Sequence, residues 1–476
     1  EETGEMVPMY LVTDFGRDRE EEILKGWDEI FQQNKDGLID AVLADEEKNR
    51  SKYGPRSFQK PWVDRRDDFY RYFECHKLSP RDKSLLISEV ANSDSHLELR
   101  PTSLAVAIEK LKNNTASGLP DKKQKSVWKQ EALANLNIVE EQYGKWPCQL
   151  FTRTQEGNKT RTVWGYPSAD VAKEQQFYIP LLAAQQKKVW RAAINTPDDI
   201  DLGVTAIIDH SLATGKSIVS MDFKQYDASV SPDLQEAAFN YIKMAFQAKY
   251  AAEIDIIAQR FGNIPIVCPD GIISKPHGVP SGSTFTNEVD SIVQYLIAKS
   301  SKVIEDKYSQ IQGDDGLYST HDPDTLFKTF EHFGLTISDT KGMTSNDTAT
   351  YLQRIYHPVY RLPNGIIGGV YSTYRAILRL VYPERRVNLD KVGMSTGKYY
   401  TIRAIQILEN CKYHPLHRKL VEYVVTMDRD GLVIDSNFVE DLRKFDAANP
   451  GFFKQQYGER LSGWEDFETV KIIREL

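Results

Sequence analysis

Four acidic side chains and one basic run carry the chemistry open to this chain. Asp222 closes a short apolar run (KSIVSMDF), Asp227 follows five residues later, and Asp314 and Asp315 lie between Gly313 and Gly316. Transfer of a phosphoryl group to a hydroxyl requires charge neutralisation on the nucleophile, the transferred phosphate and the leaving group. Two hard cations about 3.5–4 Å apart do this, and carboxylates on rigid strands hold such ions. Asp222, Asp314 and Asp315 have that chemistry, and Gly313 and Gly316 are expected to leave room for a nucleotide. A Gly-Asp-Asp tripeptide alone says little, because a lone acidic turn is usually a solvated loop. The basic residues are Arg153, Lys159 and Arg161. Thr160 and Thr162 alternate with the last two, so an extended strand aims Lys159 and Arg161 to one side. Arg offers phosphate a planar fork and Lys a point charge.

The elements around these residues follow from periodicity and turn chemistry. Residues 216–223 read as a short buried strand ending in a carboxylate. Ser231-Pro232-Asp233 starts a helix expected to reach about Lys249, with Leu234, Ala238, Tyr241 and Ala245 on one stripe. Ser281-Gly282 is expected to open a second helix, with Phe285, Val289, Ile292, Val293 and Leu296 on its apolar face. Residues 308–318 read as a hairpin with Asp314 and Asp315 in its turn, and 325–333 as a helix. A further hairpin is expected over 351–371, turning at Pro363-Asn364-Gly365, with mostly helix from there to Leu476. The order fits a ferredoxin-like α+β arrangement, an antiparallel sheet backed by helices on one face. Neighbouring elements of such a sheet bring Asp222 and Asp314 together despite 92 positions of separation.

The chain has 476 residues, 41% hydrophobic and 27% charged, an ordinary soluble globular balance whose length implies about two to four subdomains. No apolar run approaches the roughly 20 residues of a membrane span. The start, Glu1-Glu2-Thr3-Gly4, shows neither an initiator Met nor a signal peptide, and reads as a trimmed end that gives no address. A net charge of −8 argues against a simple nucleic-acid coat. It does not exclude an enzyme that concentrates basic residues inside a channel, because local field guides a polyanion. Cys75, Cys148, Cys268 and Cys411 are far apart, which suits free thiols in a reducing compartment. Cys411, His414 and His417 have loose zinc spacing, but Pro415 interrupts any aligning helix and no fourth ligand is near. Residues 1–100, polar with scattered aromatics, read as an extension packed across something larger. Residues 101–215 mix helices with a basic, glycine-punctuated stretch at 144–166.

The ordered set of segments resembles the viral RNA-dependent RNA polymerases. Ser220 to Ser229 (SMDFKQYDAS) resembles their motif A, Pro280 to Asp290 (PSGSTFTNEVD) motif B, and Gln312 to Asp315 (QGDD) motif C. Gly334 to Lys341 (GLTISDTK) is similar to motif D, and Thr350 to Arg354 (TYLQR) to motif E. Upstream, Thr115 to Pro120 (TASGLP) resembles motif G, and Gly157 to Arg161 (GNKTR), with Arg153, motif F. Seven motifs in the family's order cover about 115–355, a far more specific signal than any one of them. Their flavour is most similar to picobirnavirus polymerases, next partitiviruses, both groups with double-stranded RNA genomes.

The resemblance implies a right-hand polymerase with an encircling N-terminal extension. The expected divisions are 1–100 bridging fingers and thumb, 101–215 and 250–279 as fingers, 216–249 and 280–358 as palm, and 359–476 as thumb. It implies Mg²⁺ or Mn²⁺ on Asp222 and Asp314, with Asp315 adjusting metal binding, and Lys341 protonating the pyrophosphate. Arg153, Lys159 and Arg161 would clamp the NTP, with Asp227, Ser281, Thr286, Asn287 and Asp290 also at the nucleotide. Thr115, Ser117, Gly282, Leu352 and Arg354 would meet RNA. Implied partners are RNA template and product, NTPs and a viral capsid protein, without a membrane, in the virion interior and host cytoplasm.

Two rivals share parts of this pattern. Reverse transcriptases resemble motifs A and C but place a bulky aromatic where Asp227 stands, and usually carry Tyr-x-Asp-Asp. A non-catalytic RNA-binding scaffold would have lost a metal carboxylate, and none is lost. One departure remains. The family commonly pairs the position of Asp227 with an Asn four residues after the motif B Thr, to read the ribose 2′-hydroxyl. Four beyond Thr286 is Asp290. Two ionised carboxylates at close range repel, so either Asn287 supplies the amide or Asp290 keeps its proton and donates.

Overall fold

The computed structural model describes residues 10–113, 115–338, 343–384, 395–429, 432–448 and 464–476. Its central sheet has the order β6-β7-β3-β8. The strands are β3 (Ser217–Met221), β6 (Ser309–Gln312), β7 (Asp315–Thr320) and β8 (Thr344–Ser345), all antiparallel to their neighbours. Side chains alternate across it, as the two-residue period of a strand requires. Val219, Met221, Ile311 and Tyr318 face one large core. The helices Pro232–Met244, Thr286–Ser300 and Pro323–His332 cover that face. Ile218 and Leu317 face the opposite way, against Val204, Ile207 and Ile208 of the helix Pro197–Thr214. The expectation of helices on one face alone is therefore corrected: Pro197–Thr214, capped by Thr196 and ended by Gly215, closes the second face.

A second sheet, order β2-β1-β4-β5, consists of β1 (Cys148–Gln155), β2 (Lys159–Gly165), β4 (Ile266–Cys268) and β5 (Gly271–Ile273). The register of β1 on β2 sets Arg153 opposite Arg161. A third, small sheet joins β9 (Ala349–Tyr351), β10 (Arg354–Tyr356) and β11 (Val370–Tyr371). The single expected hairpin over 351–371 is thus two connections. β9 turns into β10 at Leu352-Gln353, both at positive φ, and Pro363-Asn364-Gly365 turns within the longer link to β11. The first turn was missed because neither residue is Gly or Asn, the usual residues for that backbone region. Two helix boundaries also shift. The helix after Ser231 ends at Met244, and the second begins at Thr286, five residues later than expected.

The first hundred residues join three separate cores. Ile23, Trp27, Phe31 and Val42 pack with the C-terminal helices, Phe69 and Tyr72 with the β1–β2 region, and Leu86 and Val90 with the central core. Glu46, buried, fixes the first junction by accepting from Ser372 Oγ (2.6 Å), Thr373 N (2.8 Å) and Thr373 Oγ1 (2.9 Å), with His414 Nε2 at 2.9 Å. Farther along, Lys60 N donates to Thr160 Oγ1 at 3.0 Å and Trp62 Nε1 to Asp270 Oδ1 at 3.0 Å. No helix among the described residues is long and apolar enough to cross a membrane.

Candidate active site

Pairing of β3 with β7 decides where the acids stand. Its last pair is Met221 with Gly316, so one step further brings Asp222 alongside Asp315. β6 and β7 close through a two-residue turn, Gly313-Asp314, between the pair Gln312 and Asp315. Gly313 takes φ +61°, the left-handed region that a glycine enters without steric cost. Asp315 is therefore the first residue of β7, and of the two only Asp314 is in the turn.

Asp222 and Asp314 reach solvent, while Asp315 and Asp227 are half-buried. Burial of the Asp315, Asp314 and Asp227 carboxyls raises their pKa values. Asp315 is pushed up to about 7, by burial first and then by the charges of Asp314 and Asp222. The Asp314 carboxyl rises through burial and Asp222, with Arg161 pulling it back. Asp227 is pushed up to about 6 by burial and by Asp314, offset by a hydrogen bond with Asp290 and by Arg161. Asp290, fully enclosed, is driven well above the carboxylate range by burial and by Asp227. Asp290 therefore holds the shared proton and donates to Asp227, and its other oxygen, Oδ1, has no partner.

The basic strand supplies the opposing charge. Lys159 and Arg161 are both exposed on the same side of β2, and Arg161 acts on Asp314, Asp315 and Asp227. Arg153 is engaged elsewhere: its Nε and Nη2 reach the Glu384 carboxylate at 2.8 and 3.2 Å.

The motif B segment is tied down rather than loose. Ser281 Oγ accepts from Trp164 N of β2 at 3.2 Å, so it does not cap the helix. A Cβ on Gly282 would overlap the Trp164 carbonyl oxygen. Ser283 Oγ donates to both Glu174 oxygens at 2.9 Å, and Thr284 N to Oε2 at 2.8 Å. Thr286 Oγ1 reaches the Pro280 and Ser283 carbonyls, both at 2.9 Å. Asn287 turns its oxygen to buried Arg191 (3.4 Å), which also pairs with Glu288 beneath it. Arg can only donate, so the Asn287 amide nitrogen must face the other way, towards Gly313.

The same helix overturns the expected part of the two glycines. A Cβ on Gly316 would overlap Gln294 Oε1, and one on Gly313 would stand 3.2 Å from Asn287 Nδ2. These positions make room for the helix and not for a nucleotide. Glu174, Arg191, Ser291 and Gln294 are the site residues that sequence reasoning missed. Only the i, i+4, i+7 spacing of Asn287, Ser291 and Gln294 could have signalled any of them.

The remaining expected residues are more dispersed. Ser117 is buried within its own loop, its Oγ accepting from Lys123 N at 3.0 Å and its carbonyl from Ser168 N at 2.9 Å. Thr115 is exposed beside it. Leu352 is at the β9–β10 turn, and Arg354 donates to Asn410 O (2.7 Å) and Oδ1 (3.0 Å) over the Tyr371 ring. Lys341 lies outside the described residues. Cys411, His414 and His417 diverge: Cys411 approaches Ser372 O, His414 faces Glu46, and His417 Nε2 meets Thr469 Oγ1 at 3.0 Å.

Among the described residues no three His, Cys, Asp or Glu side chains form a ready-made metal cage. The carboxylates present still suit a hard cation of the Mg²⁺ type, which is usually held by one or two carboxylates with substrate phosphates completing its shell. The mutual repulsion of Asp222, Asp314 and Asp315 is the charge that such an ion offsets.

Comparison with known proteins agrees with this geometry. The model of the family described as viral RNA-dependent RNA polymerase matches residues 83–413. The chain is 29% identical over 421 residues to a potential RNA-dependent RNA polymerase of human picobirnavirus, covering 80% of this chain and 76% of that one. It is 26% identical over 261 residues to the RNA-directed RNA polymerase of Cryptosporidium parvum virus 1, covering 50% and 49%. In structure it resembles the RNA-dependent RNA polymerase of a human picobirnavirus, with a TM-score of 0.84 over 98% of this chain and 94% of the other, at 23% identity. An insertion-loop deletion mutant of that enzyme gives 0.80 at 24% identity, over the same shares. The right-hand polymerase fold is therefore shared. With carboxylates and basic strand converging on that sheet and a family match over most of its length, the chain belongs to the viral RNA-dependent RNA polymerases.

Proposed function

We propose that the chain copies an RNA template into RNA by nucleotidyl transfer from NTPs, replicating and transcribing a double-stranded RNA genome. The observation that carries it is the meeting of Asp222 and Asp314 at adjoining ends of β3 and the β6–β7 turn, within reach of Arg161's charge. An RNA 3′-hydroxyl attacks the α-phosphate of the NTP, and pyrophosphate leaves. Bound divalent ions, Mg²⁺ or Mn²⁺, supply the charge neutralisation that this transfer needs. Asp222 and Asp314 hold them, and Asp315 adjusts their binding. Arg161 and Lys159 bind and orient the triphosphate, while Arg153, held by Glu384, braces β1 directly opposite Arg161. Asp227, with the proton kept on Asp290, reads the ribose 2′-hydroxyl. Residues 101–215 and 250–279 serve as fingers, 216–249 and 280–358 as palm, 359–476 as thumb, and 1–100 joins them.

Primer extension tests this directly, with NTPs, dNTPs and metal omitted in turn. Asp314→Ala and Asp222→Asn should abolish NTP incorporation while leaving the thermal midpoint near wild type, because both act on charge at solvent-reached positions. Retention of more than a few per cent of extension by Asp314→Ala overturns the assignment.

A further inference from the structure

The helix Thr286–Ser300 is buried on almost every side, yet it carries polar residues at 287, 291 and 294. Spacings of four and three put them on one stripe of the helix. Buried polar groups are costly unless satisfied, so their partners show what they are for. Ser291 Oγ accepts from Gly313 N at 2.8 Å. Gln294 Nε2 donates to Gly313 O at 2.8 Å, and its Oε1 accepts from Tyr318 OH at 2.7 Å. The amide has one possible orientation, because a carbonyl oxygen only accepts and so must meet the nitrogen end. Both main-chain polar groups of Gly313, the first residue of a two-residue turn, are thus held by side chains of another element. Gly316, on the far side of the two acids, lacks the Cβ that Gln294 would collide with.

We propose that Ser291 and Gln294 are positioning residues for nucleotidyl transfer, gripping the peptide groups of Gly313 and thereby fixing the direction of the Asp314 carboxylate. Neither touches substrate. A turn closed by two residues has few ways to re-aim its second side chain once the first residue is fixed at N and O. Asn287, three residues before the helix's Asp290, completes the stripe from the side, its amide nitrogen against Gly313. The inference rests on Asp314 holding a divalent ion.

The test is direct Mn²⁺ binding to the RNA-free and NTP-free enzyme, followed by the electron paramagnetic resonance signal of free Mn²⁺. Ser291→Ala removes the acceptor for Gly313 N, and Gln294→Met removes the donor to Gly313 O at similar volume. Each should weaken Mn²⁺ binding about 10- to 100-fold, the usual consequence of losing support behind a metal ligand. Each should also raise the Mg²⁺ concentration for half-maximal extension, with extension partly restored at high Mg²⁺. Wild-type Mn²⁺ binding by either variant, in folded protein, overturns the proposal, even if its thermal midpoint falls. Ser291→Ala, the milder change, decides the matter where Gln294→Met does not fold. Asp314→Ala separates the two levels of the argument. If it binds Mn²⁺ like wild type, the metal assignment fails; if it loses binding while Ser291→Ala keeps it, only the positioning role fails.

Discussion

Substituting Ala at Gly282 probes how tightly the motif B loop must sit on the basic strand. Gly282 is not in the left-handed region, so its backbone tolerates Ala, and any cost comes from space alone. The added Cβ would overlap the Trp164 carbonyl oxygen, with the Trp164 carbonyl carbon at 2.9 Å and Tyr166 N at 3.1 Å. Those are main-chain atoms of and beside a strand whose Trp164 ring is buried and packed 4.3 Å from the His277 ring, so the strand cannot yield. The loop must move away by about 1 Å, and the bond from Trp164 N to Ser281 Oγ is lost with it. Overpacking of this kind costs about 1–3 kcal/mol, and the hydrogen bond about 0.5–1.5 kcal/mol. A misplacement of about 1 Å at a reacting site costs about a hundredfold in rate. The expected result is therefore a modest fall in thermal midpoint and about a hundredfold fall in kcat/KM for NTP incorporation. Gly37→Ala, with no atom within 4 Å of the new Cβ, is the control. If Gly282→Ala behaves like that control in single-nucleotide extension, close seating of the loop on β2 does not matter for synthesis.

Three further outcomes follow from the geometry. Arg161→Ala should raise the KM for NTPs and lower kcat, with little change in RNA affinity measured without NTP; lost RNA binding at an unchanged KM would move Arg161 to the template channel. Asp227→Ala and Asp290→Ala should both reduce the preference for NTP over dNTP in competition assays, and full retention by Asp290→Ala would remove Asp290 from sugar reading. Glu174, pushed up to about 8 by burial from its ordinary 4.5, contributes stability that is complete below about 4.5 and lost as pH rises through about 8. Glu174→Gln should therefore lose less thermal stability than wild type between those values, and parallel melting profiles would contradict this.

The parts of the site that were legible in the sequence are those where a residue type is dictated by chemistry at its own position. The carboxylates and the alternating basic residues can be singled out without a partner in view, and the structure brings Asp222, Asp314 and Asp315 together within reach of Arg161's charge. The β6–β7 hairpin was legible for the same reason, since its Gly-Asp turn sits between two short runs bearing Tyr308 and Ile311 on one side and Leu317 and Tyr318 on the other. What was misread depends on atoms brought in from elsewhere. Gly313 and Gly316 looked like space for substrate, and only the arrival of Asn287 and Gln294 from a distant helix shows what fills it. Ser281-Gly282 read as the opening of a helix, but Ser281 Oγ accepts from Trp164 N and the helix starts at Thr286. The helix Pro197–Thr214 lies in a stretch read only as mixed helices, and nothing local could say that it covers the second face of the sheet. Leu352-Gln353 form a turn in a backbone region that their side chains disfavour, so β9 and β10 were merged into a longer hairpin.

On the proposed roles of Asp314, Asp227 and Asp290, one helix makes metal binding and sugar choice hard to separate. Thr286–Ser300 presents Asp290 to Asp227, and Ser291 and Gln294 to the turn that bears Asp314. At about 1.5 Å of rise per residue, those contacts lie within about 6 Å along one rigid axis. Its seat is fixed from below by the buried pair of Arg191 and Glu288, and from its N-terminal side by Glu174 holding Ser283 and Thr284. Any displacement of the helix therefore moves Asp290 and the turn that bears Asp314 together. The enclosed, mutually repelling acids gain nothing for stability from this arrangement. On the proposed roles their placement makes sense as preorganisation: the charges and dipoles would already stand where cations and sugar arrive, so little rearrangement would remain when the nucleotide binds.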